Sequence, residues 1–478
     1  MTLKRLLVRG GKTPECVLSP EATLAYMPSA VFGSNSGNLL FSHSVMRALA
    51  VPDAKVVADA FALQLSDEAD LAGRVNEQFD AVILPLANAF RSDFLPQLNR
   101  LTTLIDSLTI PIVIVGVGCQ IPRGVTPATA ATGNSKVAAA VTAFMRAALE
   151  RSTRVGVRGE ITRAYLQALG FGDSAVEVIG CPSLYDKGPD LRVERRSDRL
   201  TKDSLLTFNT AFSVPGAGTF VQRVMRHYPR SEYVGQLHTE LALLLWGESI
   251  PRVDRRLVSH PGHQLYREDR VRFFIDPLTW TRYFESREFS VGTRIHGTMA
   301  AVLGGAPAVI FDWDSRTTEL ADYHQLPHQT IRSLDEARGL AQIYEELDLG
   351  PLNRAVSENF RRYTAFLEAN GLRHIWQPGR ANPDYSRRIE KAPYPPAVGS
   401  IYGDSRDQIL DRLRWLRQGP NTDKTRSYSA YAPTFSEKSA CQLTHDHLSQ
   451  ITEEIASLRR EVAALKADTP HSESLAKT

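Results

Sequence analysis

Short apolar runs recur along the first two thirds of the chain, and segments with helical spacing of apolar residues separate several of them. The runs AVILPL and IPIVIVGVG are nearly continuous and rich in Val and Ile, which is typical of strands covered on both faces. The predicted strands are residues 81–86, 110–118, 154–159, 176–180, 204–212, 271–277, 287–292 and 306–311. The helices predicted between them are residues 91–108, 161–170 and 280–286. This alternation predicts parallel sheets.

A polar, charged and turn-rich segment at residues 187–203 separates two groups of these elements. We therefore expect an α/β fold with two Rossmann-like domains, residues 1–195 and 203–335, and an interdomain cleft that binds the ligand. Residues 336–400 are expected to pack back on the body as a helical segment. Within and just after it, residues 378–402 are rich in Pro and Tyr and are expected to be irregular.

The remaining residues, 401–478, are expected to form an irregular tail that carries one short coiled-coil helix at 445–467. Apolar residues alternate there at intervals of three and four, as in a heptad seam. The seam consists of Leu448, Ile451, Ile455, Leu458, Val462 and Leu465. Such a short seam is marginal alone. It leaves three alternatives open: pairing between copies in a homo-oligomer, docking on the body, or a frayed helix.

Composition narrows the class of protein. The 478 residues are 43% hydrophobic and 23% charged, which is typical of a soluble globular protein. A net charge of +3 argues against a nucleic-acid partner. The four cysteines lack CxxC spacing, which favours a reducing compartment. No apolar run reaches the roughly 18 residues of a membrane span. We expect a cytoplasmic protein that would meet any lipid-linked partner at the inner membrane face.

The segment VGTRIHGTMAAVLGG places Arg294 and His296 between a buried strand and a helix of small residues. The N–H groups near Gly297 and Thr298 are expected to point into the cleft, where a helix N-terminus attracts an anion. The guanidinium of Arg294 suits carboxylate or phosphate oxygens, and His296 can exchange a proton near neutral pH. The alternative is that Arg294 pairs with a buried acid and His296 is a core histidine.

Three further segments accompany this turn in a definite order. They are GSNSGNLL at residues 33–40, VGVRGEITRAYLQALG at 155–170 and VIGCPSLY at 178–185. Together with TRIHGTMAAVLGGAPAVIFDWDSR at 293–316, they resemble the polysaccharide pyruvyl transferase family. The resemblance covers about residues 30–335.

The resemblance implies a GT-B-like pair of Rossmann-type domains. It also implies an enzyme of cell-surface polysaccharide biosynthesis that moves the pyruvyl group of phosphoenolpyruvate onto a saccharide as a cyclic ketal. His296 would then donate the proton to C3, and Arg294 would hold the donor and the departing phosphate. Arg158 matches a family arginine that would complete the donor site, and Arg316 occupies a position that is often basic.

The same resemblance implies the substrates. Phosphoenolpyruvate is the donor, and the acceptor is a saccharide or a lipid-linked oligosaccharide. No cofactor and no metal are expected.

The loop GSNSGN is the other predicted binding element. Gly33 and Gly37 flank Asn35 before a helix, so backbone N–H groups could approach a donor or an acceptor closely. A plain tight turn is the alternative. Asn38 stands where the family usually has Asp, so a role as base or hydroxyl-orienting group is in doubt, although Asn can still bind a sugar. The segment PLANAF at 85–90 also departs from the family, whose members often carry consecutive glycines there.

Other residues with reactive side chains have simpler interpretations. Cys181 is expected to be a packed thiol. His238 and Glu240 are expected to face solvent rather than an acceptor sugar. Asp312 and Asp314 form an Asp-x-Asp pair, which in some sugar transferases binds a metal, but the pyruvyl chemistry requires none.

Two rival functions fit the same architecture. In a nucleotide-sugar glycosyltransferase of GT-B type, Arg294 and the helix start would hold a diphosphate. In a noncatalytic scaffold of a polysaccharide assembly, the C-terminal heptads would recruit partners.

Overall fold

The computed structural model describes residues 4–25, 31–66, 70–122, 124–133, 135–330 and 339–418. The strands in these ranges are β1 (Lys4–Val8), β2 (Ala54–Ala58), β3 (Ala81–Pro85), β4 (Ile112–Val115), β5 (Val155–Val157), β6 (Val176–Val178), β7 (Leu206–Asn209), β8 (Glu232–Gly235), β9 (Val271–Phe273), β10 (Phe289–Gly292), β11 (Ala308–Asp312) and β12 (His328–Thr330).

The helices in the same ranges are α1 (Pro20–Ala25), α2 (Gly37–Leu49), α3 (Ala62–Leu65), α4 (Leu71–Gln78), α5 (Leu95–Ser107), α6 (Pro127–Gly133), α7 (Ser135–Leu149), α8 (Glu160–Ala168), α9 (Ala217–His227), α10 (His238–Trp246), α11 (Gln264–Arg267), α12 (Pro277–Phe284), α13 (Ile295–Leu303), α14 (Ser315–His324), α15 (Leu340–Glu345), α16 (Gly350–Ala369), α17 (Pro383–Lys391) and α18 (Arg406–Gln418). Short 3-10 turns lie at Ser92–Phe94 and Pro182–Tyr185.

The first sheet has the strand order β2-β1-β3-β4, and every pairing in it is parallel. Leu7 of β1 pairs with Val57 on one side and with Val82 on the other. A bridge between Val117 and Val157 connects the β4 edge to the parallel pair β5-β6. The strands β3 and β4 are buried along their whole length, which explains their nearly continuous apolar sequence.

The second sheet has the order β12-β11-β10-β7-β8-β9 and is also parallel throughout. Its central strand β10 pairs with β7 and β11, with Val291 opposite Phe208 and Val309. Buried aromatic residues from neighbouring strands fill the core around it, and Phe208 contacts the ring of Tyr233 at 5.6 Å between centroids.

The two parallel sheets confirm the predicted α/β class. Predicted strands such as 81–86 and 110–118 are present as β3 and β4. The division of the chain into two domains stays a prediction, and the predicted heptad helix at 445–467 lies outside the described residues.

The segment after α15 returns to the first sheet. Phe360, Tyr363 and Phe366 of α16 are buried in the same core as residues of β1, β3 and β4. Residues 378–402 were expected to be irregular, and for their central part that expectation was wrong. The helix α17 forms there because Pro383 occupies its first position and the Asn382 side chain accepts from Tyr385 N at 3.1 Å.

Segments that follow strands of the two sheets contact each other, and we call the region where they meet the cleft. Ser36 N, just before α2, donates to Gln236 O, just after β8, at 2.9 Å. The buried Lys12, after β1, also forms an ion pair with the buried Asp276, after β9. Within the described ranges, no helix is both long enough and apolar enough to cross a membrane.

Candidate functional site

The helix α13 starts at the cleft, directly after the central strand β10. Arg294 occupies the N-cap position, and its backbone N–H donates to Asn209 Oδ1 at 2.9 Å. The N–H groups of Gly297 and Thr298 both donate to Arg294 O, at 3.0 and 3.3 Å. The prediction that these two N–H groups are free was therefore wrong, because the helix begins earlier than expected and its first turn uses them. The amides of Ile295 and His296 are the ones left at the helix start.

His296 is half-buried and lies against the start of α2. Its Nε2 atom is buried and has no hydrogen-bond partner. A Cβ atom on Gly37 would come within 2.3 Å of His296 Nδ1, so only glycine fits at position 37 with the ring in this place. Burial, followed by the positive charges of Arg158 and Arg316, lowers the pKa of His296 to about 3. The imidazole is therefore neutral at pH 7 in this structure.

Three neighbouring arginines, which we call the cation group, are Arg91, Arg158 and Arg316, and two of them, Arg158 and Arg316, act on His296. The charge of Arg316 lowers the pKa of Arg91, second to burial, so these two guanidinium groups are close. The side-chain amide of Asn88, with its oxygen turned toward them, accepts from Arg91 Nη1 at 2.8 Å and from Arg316 Nη1 at 3.3 Å. Like charges held together in a protein interior call for an anion.

Arg158 is the most deeply buried member of the cation group, with 3% of its surface exposed. It directly follows β5, and its backbone N–H donates to Val117 O at 3.0 Å. A Cβ atom on Gly118 would come within 2.3 Å of Arg158 Cδ, so the side chain crosses closely over that glycine. The Nε atom is buried without a partner, and burial lowers the pKa of the guanidinium. A buried, unpaired donor of this kind is costly unless a ligand satisfies it.

Arg316 lies in the first turn of α14 and contacts its own N-cap residue. The Arg316 Nε–H donates to Asp314 Oδ2 at 2.6 Å, and Asp314 Oδ1 accepts from Thr317 N at 3.0 Å. Asp312 Oδ2 accepts from the Thr318 hydroxyl at 2.8 Å. Both carboxylates of the Asp-x-Asp pair thus stabilise the start of α14. Over the part of the chain that the structure describes, no group of His, Cys, Asp and Glu has metal-binding geometry.

Arg294 lies apart from the cation group and contacts a buried acid. Its Nε–H donates to Thr210 O at 2.8 Å, and its Nη2 lies 3.6 Å from Glu240 Oε2. Nη2 is buried and makes no hydrogen bond. The alternative that Arg294 pairs with a buried acid thus describes the observed contact, while one donor of its guanidinium stays unused.

Glu240 was expected to face solvent, and this was wrong, since it is 1% exposed. Its carboxylate accepts from the Tyr233 hydroxyl at 2.5 Å and from the N–H groups of Gln236 and Leu237 at 2.8 Å each. Glu240 therefore holds the turn between β8 and α10 and faces Arg294 at the same time.

The glycine loop forms a tight turn stabilised by its own side chains. Gly33 has φ +59° and is followed by Ser34 at φ +70°. Asn35 Oδ1 accepts from Gly37 N at 2.8 Å. The Asn38 amide donates to Phe32 O and to Gly33 O, both at 3.0 Å. An ionised Asp could not donate these two bonds, which gives Asn38 a structural role in this loop. Ligand binding by Gly33, Asn35, Gly37 and Asn38 stays a prediction.

Glu319 belongs to the site, although the sequence analysis did not single it out. It is 3% exposed, and from α14 its carboxylate accepts from Thr162 N at 3.0 Å and from the Thr162 hydroxyl at 2.9 Å. It thereby caps the start of α8, a helix of the other sheet, next to Arg158. Burial raises the pKa of Glu319 to about 7, although the charge of Arg158 opposes this shift.

Cys181, after β6, and His324, at the end of α14, are buried and contact each other. His324 Nε2 accepts from Cys181 N at 2.8 Å, and burial lowers the pKa of His324 to about 3. The Cys181 thiol contacts the Ser183 hydroxyl at 3.2 Å, and burial raises its pKa. The geometry agrees with the packed thiol expected for Cys181.

The structure thus brings His296 together with Arg158, Arg316 and Gly37, and separates Arg294 from them. Arg91 was missed, although it follows the loop after β3 at the edge where ligands bind in parallel sheets. The same rule would have drawn attention to the turn after β8. No sequence pattern marks Glu319, because its partner is in a distant helix.

These features define a class: an α/β protein in which a histidine and several arginines meet near the carboxyl ends of parallel strands. The sequence profile of the polysaccharide pyruvyl transferase family matches residues 35–315, more than half of the chain. The chain belongs to this family. The matched region begins at Asn35 within the glycine loop, includes Arg158 and His296, and ends one residue before Arg316. No curated protein matches the chain.

Several solved structures are similar to this chain at low sequence identity. S. aureus MnaA in a co-structure with UDP shares 12% identity over 78% of this chain and 99% of that one, with a TM-score of 0.39. The UDP-GlcNAc 2-epimerase of Methanocaldococcus jannaschii shares 12% over 76% and 99%, with a TM-score of 0.40. The glycosyltransferase SnogD of Streptomyces nogalater shares 12% over 77% and 96%, with a TM-score of 0.29.

Proposed function

We propose that this chain transfers the pyruvyl group of phosphoenolpyruvate to two hydroxyls of a saccharide, forming a cyclic ketal. The acceptor is a free saccharide or a lipid-linked oligosaccharide, met at the inner face of the membrane by a cytoplasmic enzyme. The observation that carries the proposal is the unpartnered Nε2 of His296 beside the cation group. Phosphoenolpyruvate requires cationic groups that bind its phosphate and carboxylate, and beside them a group that can transfer a proton.

The cation group supplies binding for the donor. Phosphoenolpyruvate carries a phosphate and a carboxylate, and guanidinium groups bind both kinds of oxygen in a fork geometry. Arg158 has a buried Nε–H without a partner, and Arg316 lies near the same imidazole of His296. Arg294 lies on the other side of the histidine, where Glu240 balances its charge and Nη2 makes no hydrogen bond. Loss of Arg294 is expected to lower turnover about 100-fold, because it would leave Glu240 as an unbalanced buried charge beside the site and remove a positive charge that can stabilise developing negative charge.

The reaction balances without a further reactant. His296 donates a proton to C3, which makes C2 electrophilic, and a saccharide hydroxyl adds at C2. The C2–O bond to phosphate breaks, and a second hydroxyl closes the ring. The two hydroxyl protons end on C3, by way of His296, and on the departing phosphate. Burial is the largest cause of the low pKa of His296, and the charges of Arg158 and Arg316 add to it. Binding of the anionic donor opposes those charges, so it raises the pKa and increases the protonated fraction of the imidazole.

The test is incubation of the protein with phosphoenolpyruvate and a pool of saccharides, followed by mass spectrometry for the pyruvyl ketal increment. The His296→Gln variant is expected to lose turnover and keep its fold. The matched control is His227→Gln, at an exposed position of α9, which is expected to keep full activity. Normal turnover in His296→Gln would remove the histidine from the mechanism. A hexose increment with nucleotide sugars, and none with phosphoenolpyruvate, would favour the glycosyltransferase instead.

A further inference from the structure

Two loops from different sheets join each other next to His296. One is the glycine loop, residues 33–38, and the other is the turn after β8, residues 235–238. Their contacts are an antiparallel bridge between Asn35 and Leu237, the bond from Ser36 N to Gln236 O at 2.9 Å and the bond from His238 N to Ser34 O at 3.1 Å. The joined loops form a wall of the cleft that contains residues from both sheets.

Gln236 is a residue of this wall whose side chain has an unused hydrogen-bond donor. Its backbone N–H donates to Glu240 and its carbonyl accepts from Ser36, so the main chain is fixed. The side chain is 1% exposed, and its Nε2 atom is buried with no partner. A buried amide donor left unsatisfied destabilises the folded protein, so its retention calls for a group that binds it.

Two contacts place Gln236 near His296. A Cβ atom on Gly297 would come within 2.7 Å of Gln236 Nε2, and Gly297 is the residue after His296. Ser36, which bonds the carbonyl of Gln236, directly precedes Gly37, whose backbone lies against the His296 ring. The free amide nitrogen therefore lies close to the reactive imidazole.

Charge differs between the two sides of His296. The cation group lies on one side, where Arg158 and Arg316 act on the imidazole. On the side of Gln236, the guanidinium of Arg294 is balanced by Glu240, whose carboxylate lies 3.6 Å away. His238 adds a second buried atom without a partner there, Nδ1. One side of the histidine thus suits an anion, and the other suits a neutral ligand with hydroxyl groups.

We infer that Gln236, together with the joined loops, forms the acceptor subsite and that Gln236 Nε2 donates a hydrogen bond to a hydroxyl of a neutral saccharide. This assignment rests on the proposed function. A hydroxyl suits the position because it can accept from Nε2 and still donate its own proton during the reaction. An anionic ligand would bind the cation group instead. The anionic donor and the neutral saccharide would therefore bind on opposite sides of His296.

The experiment separates saccharide binding from donor binding. Saturation-transfer NMR with the methyl glycosides of glucose, galactose and mannose, in the presence of phosphoenolpyruvate, reports the first. Calorimetry with phosphoenolpyruvate alone reports the second. The Gln236→Met variant keeps the side-chain length and removes the amide, whereas Gln236→Asn keeps the amide one methylene shorter. Gln222→Met, at an exposed position of α9, is the matched control.

The unaltered protein and Gln222→Met are expected to bind at least one glycoside. Gln236→Met is expected to weaken this binding about fivefold or more, with phosphoenolpyruvate affinity changed less than about twofold. If Gln236→Met does not fold, as judged by thermal unfolding, Gln236→Asn gives the same comparison. Unchanged glycoside binding in the variants, or none in the unaltered protein, overturns the subsite. Glycoside binding that depends on Gln236, in a protein that does not bind phosphoenolpyruvate, supports the saccharide site and overturns the proposed function.

Discussion

His296 is neutral at pH 7 in this structure, because burial and two guanidinium charges hold its pKa at about 3. Opposite charge favours the protonated form of a base, so an anion bound between His296 and Arg158 would raise that pKa. Under the proposed function, the donor would thereby increase the protonated fraction of the acid that its own reaction needs.

This proton linkage is measurable at His296 itself. In the free protein, the ring is expected to stay neutral down to about pH 4, and saturating phosphoenolpyruvate is expected to raise its pKa by about two units or more. NMR of the imidazole Cε1 proton measures both titrations, and His296→Gln assigns the signal among the 12 histidines. An identical titration with and without the donor would mean that no anion binds beside the ring.

Glu319 adds a second titrating group at the other end of Arg158. The charged groups near its carboxyl are Arg158, which lowers its pKa, and Asp314, which raises it, and Thr162 donates to it. The Cys119 thiol also lies within range, and its own pKa is raised to about 12. The carboxyl is protonated below its pKa of about 7 and charged above it. When charged, it competes with a bound anion for Arg158.

Anion affinity is therefore expected to rise as the pH falls through 7. The comparison uses two proteins, one with Glu319 and one with Glu319→Gln, and both carry His296→Gln so that the imidazole does not contribute. Sulfate is the probe because it does not titrate in this pH range. Sulfate affinity is expected to increase about five- to tenfold between about pH 8 and about pH 6. Adding Glu319→Gln is expected to remove this step and fix the affinity at the tighter value. A step that survives in Glu319→Gln belongs to another group.

At this scale, sequence motifs identified His296, Arg158 and Arg316, because Arg-x-His at a strand end and arginines after strands carry the family pattern. They could not identify the roles of Gln236 and Glu240. The local sequence QLHTEL does not show whether Glu240 is buried or exposed. Its burial depends on contacts with Tyr233 and Arg294, which belong to other elements.

Among the elements, α2 and α13 meet end to end at the site. Gly37 is the first residue of α2, and a Cβ atom there would overlap the His296 ring. The glycine is needed for this contact and not for its backbone conformation, since its φ angle is not positive. The position of the reactive histidine is thus set by the start of a helix from the other sheet.

The variant Gly37→Ala is expected to displace His296 and to lower turnover about 100-fold, as a shift of about 1 Å at a reacting group does. The fold should survive, because overpacking costs about 1–3 kcal/mol and alanine favours the helix by about 1 kcal/mol. Turnover and thermal unfolding measure the two effects. Gly172→Ala is the matched control, since nothing lies within 4 Å of its added Cβ atom. Full activity in Gly37→Ala would show that the contact does not position the histidine.

Apolar patterning predicted the long buried elements well and the short polar ones poorly. The strands β3 and β4 were evident because both faces are covered and the sequence is continuously apolar. The edge strand β12, residues His328–Thr330, has no apolar pattern, and its pairing with β11 alone defines it. The start of α13 was placed too late, since Arg294 gives no side-chain cap that the sequence could announce.

At the scale of the whole molecule, a buried ion pair joins segments that follow strands of the two sheets. Lys12 follows β1 and Asp276 follows β9, and both are at most 2% exposed. Lys12 Nζ also donates to Cys16 O at 3.0 Å, while Asp276 Oδ2 is buried without a partner. Burial raises the pKa of Asp276, and the charge of Lys12 opposes this.

Removing one partner leaves a buried charge without compensation. Lys12→Met is therefore expected to lower the free energy of unfolding by about 3–5 kcal/mol, and the double variant Lys12→Met/Asp276→Leu by clearly less. Chemical denaturation measures both. A single variant as stable as the unaltered protein would mean that Asp276 is protonated at no cost and that the pair does not hold the sheets together.

The parallel sheets followed from patterning alone, but the way they face each other did not. The contacts between them join residues far apart in sequence, such as Thr162 with Glu319 and Cys181 with His324. No local pattern encodes such pairs, so the make-up of the cation group and its separation from Arg294 emerged only from the folded chain.

The cap that Glu319 places on α8 links the arginine of one sheet to a helix of the other. Parting of the two halves would break the bonds to Thr162 and draw Arg158 away from Arg316 and His296 in one movement. Under the proposed function, release of inorganic phosphate would then coincide with parting of the two sheets. Steady-state turnover should accordingly slow in viscous solvent, while a single round of ketal formation on preloaded enzyme proceeds at its usual rate.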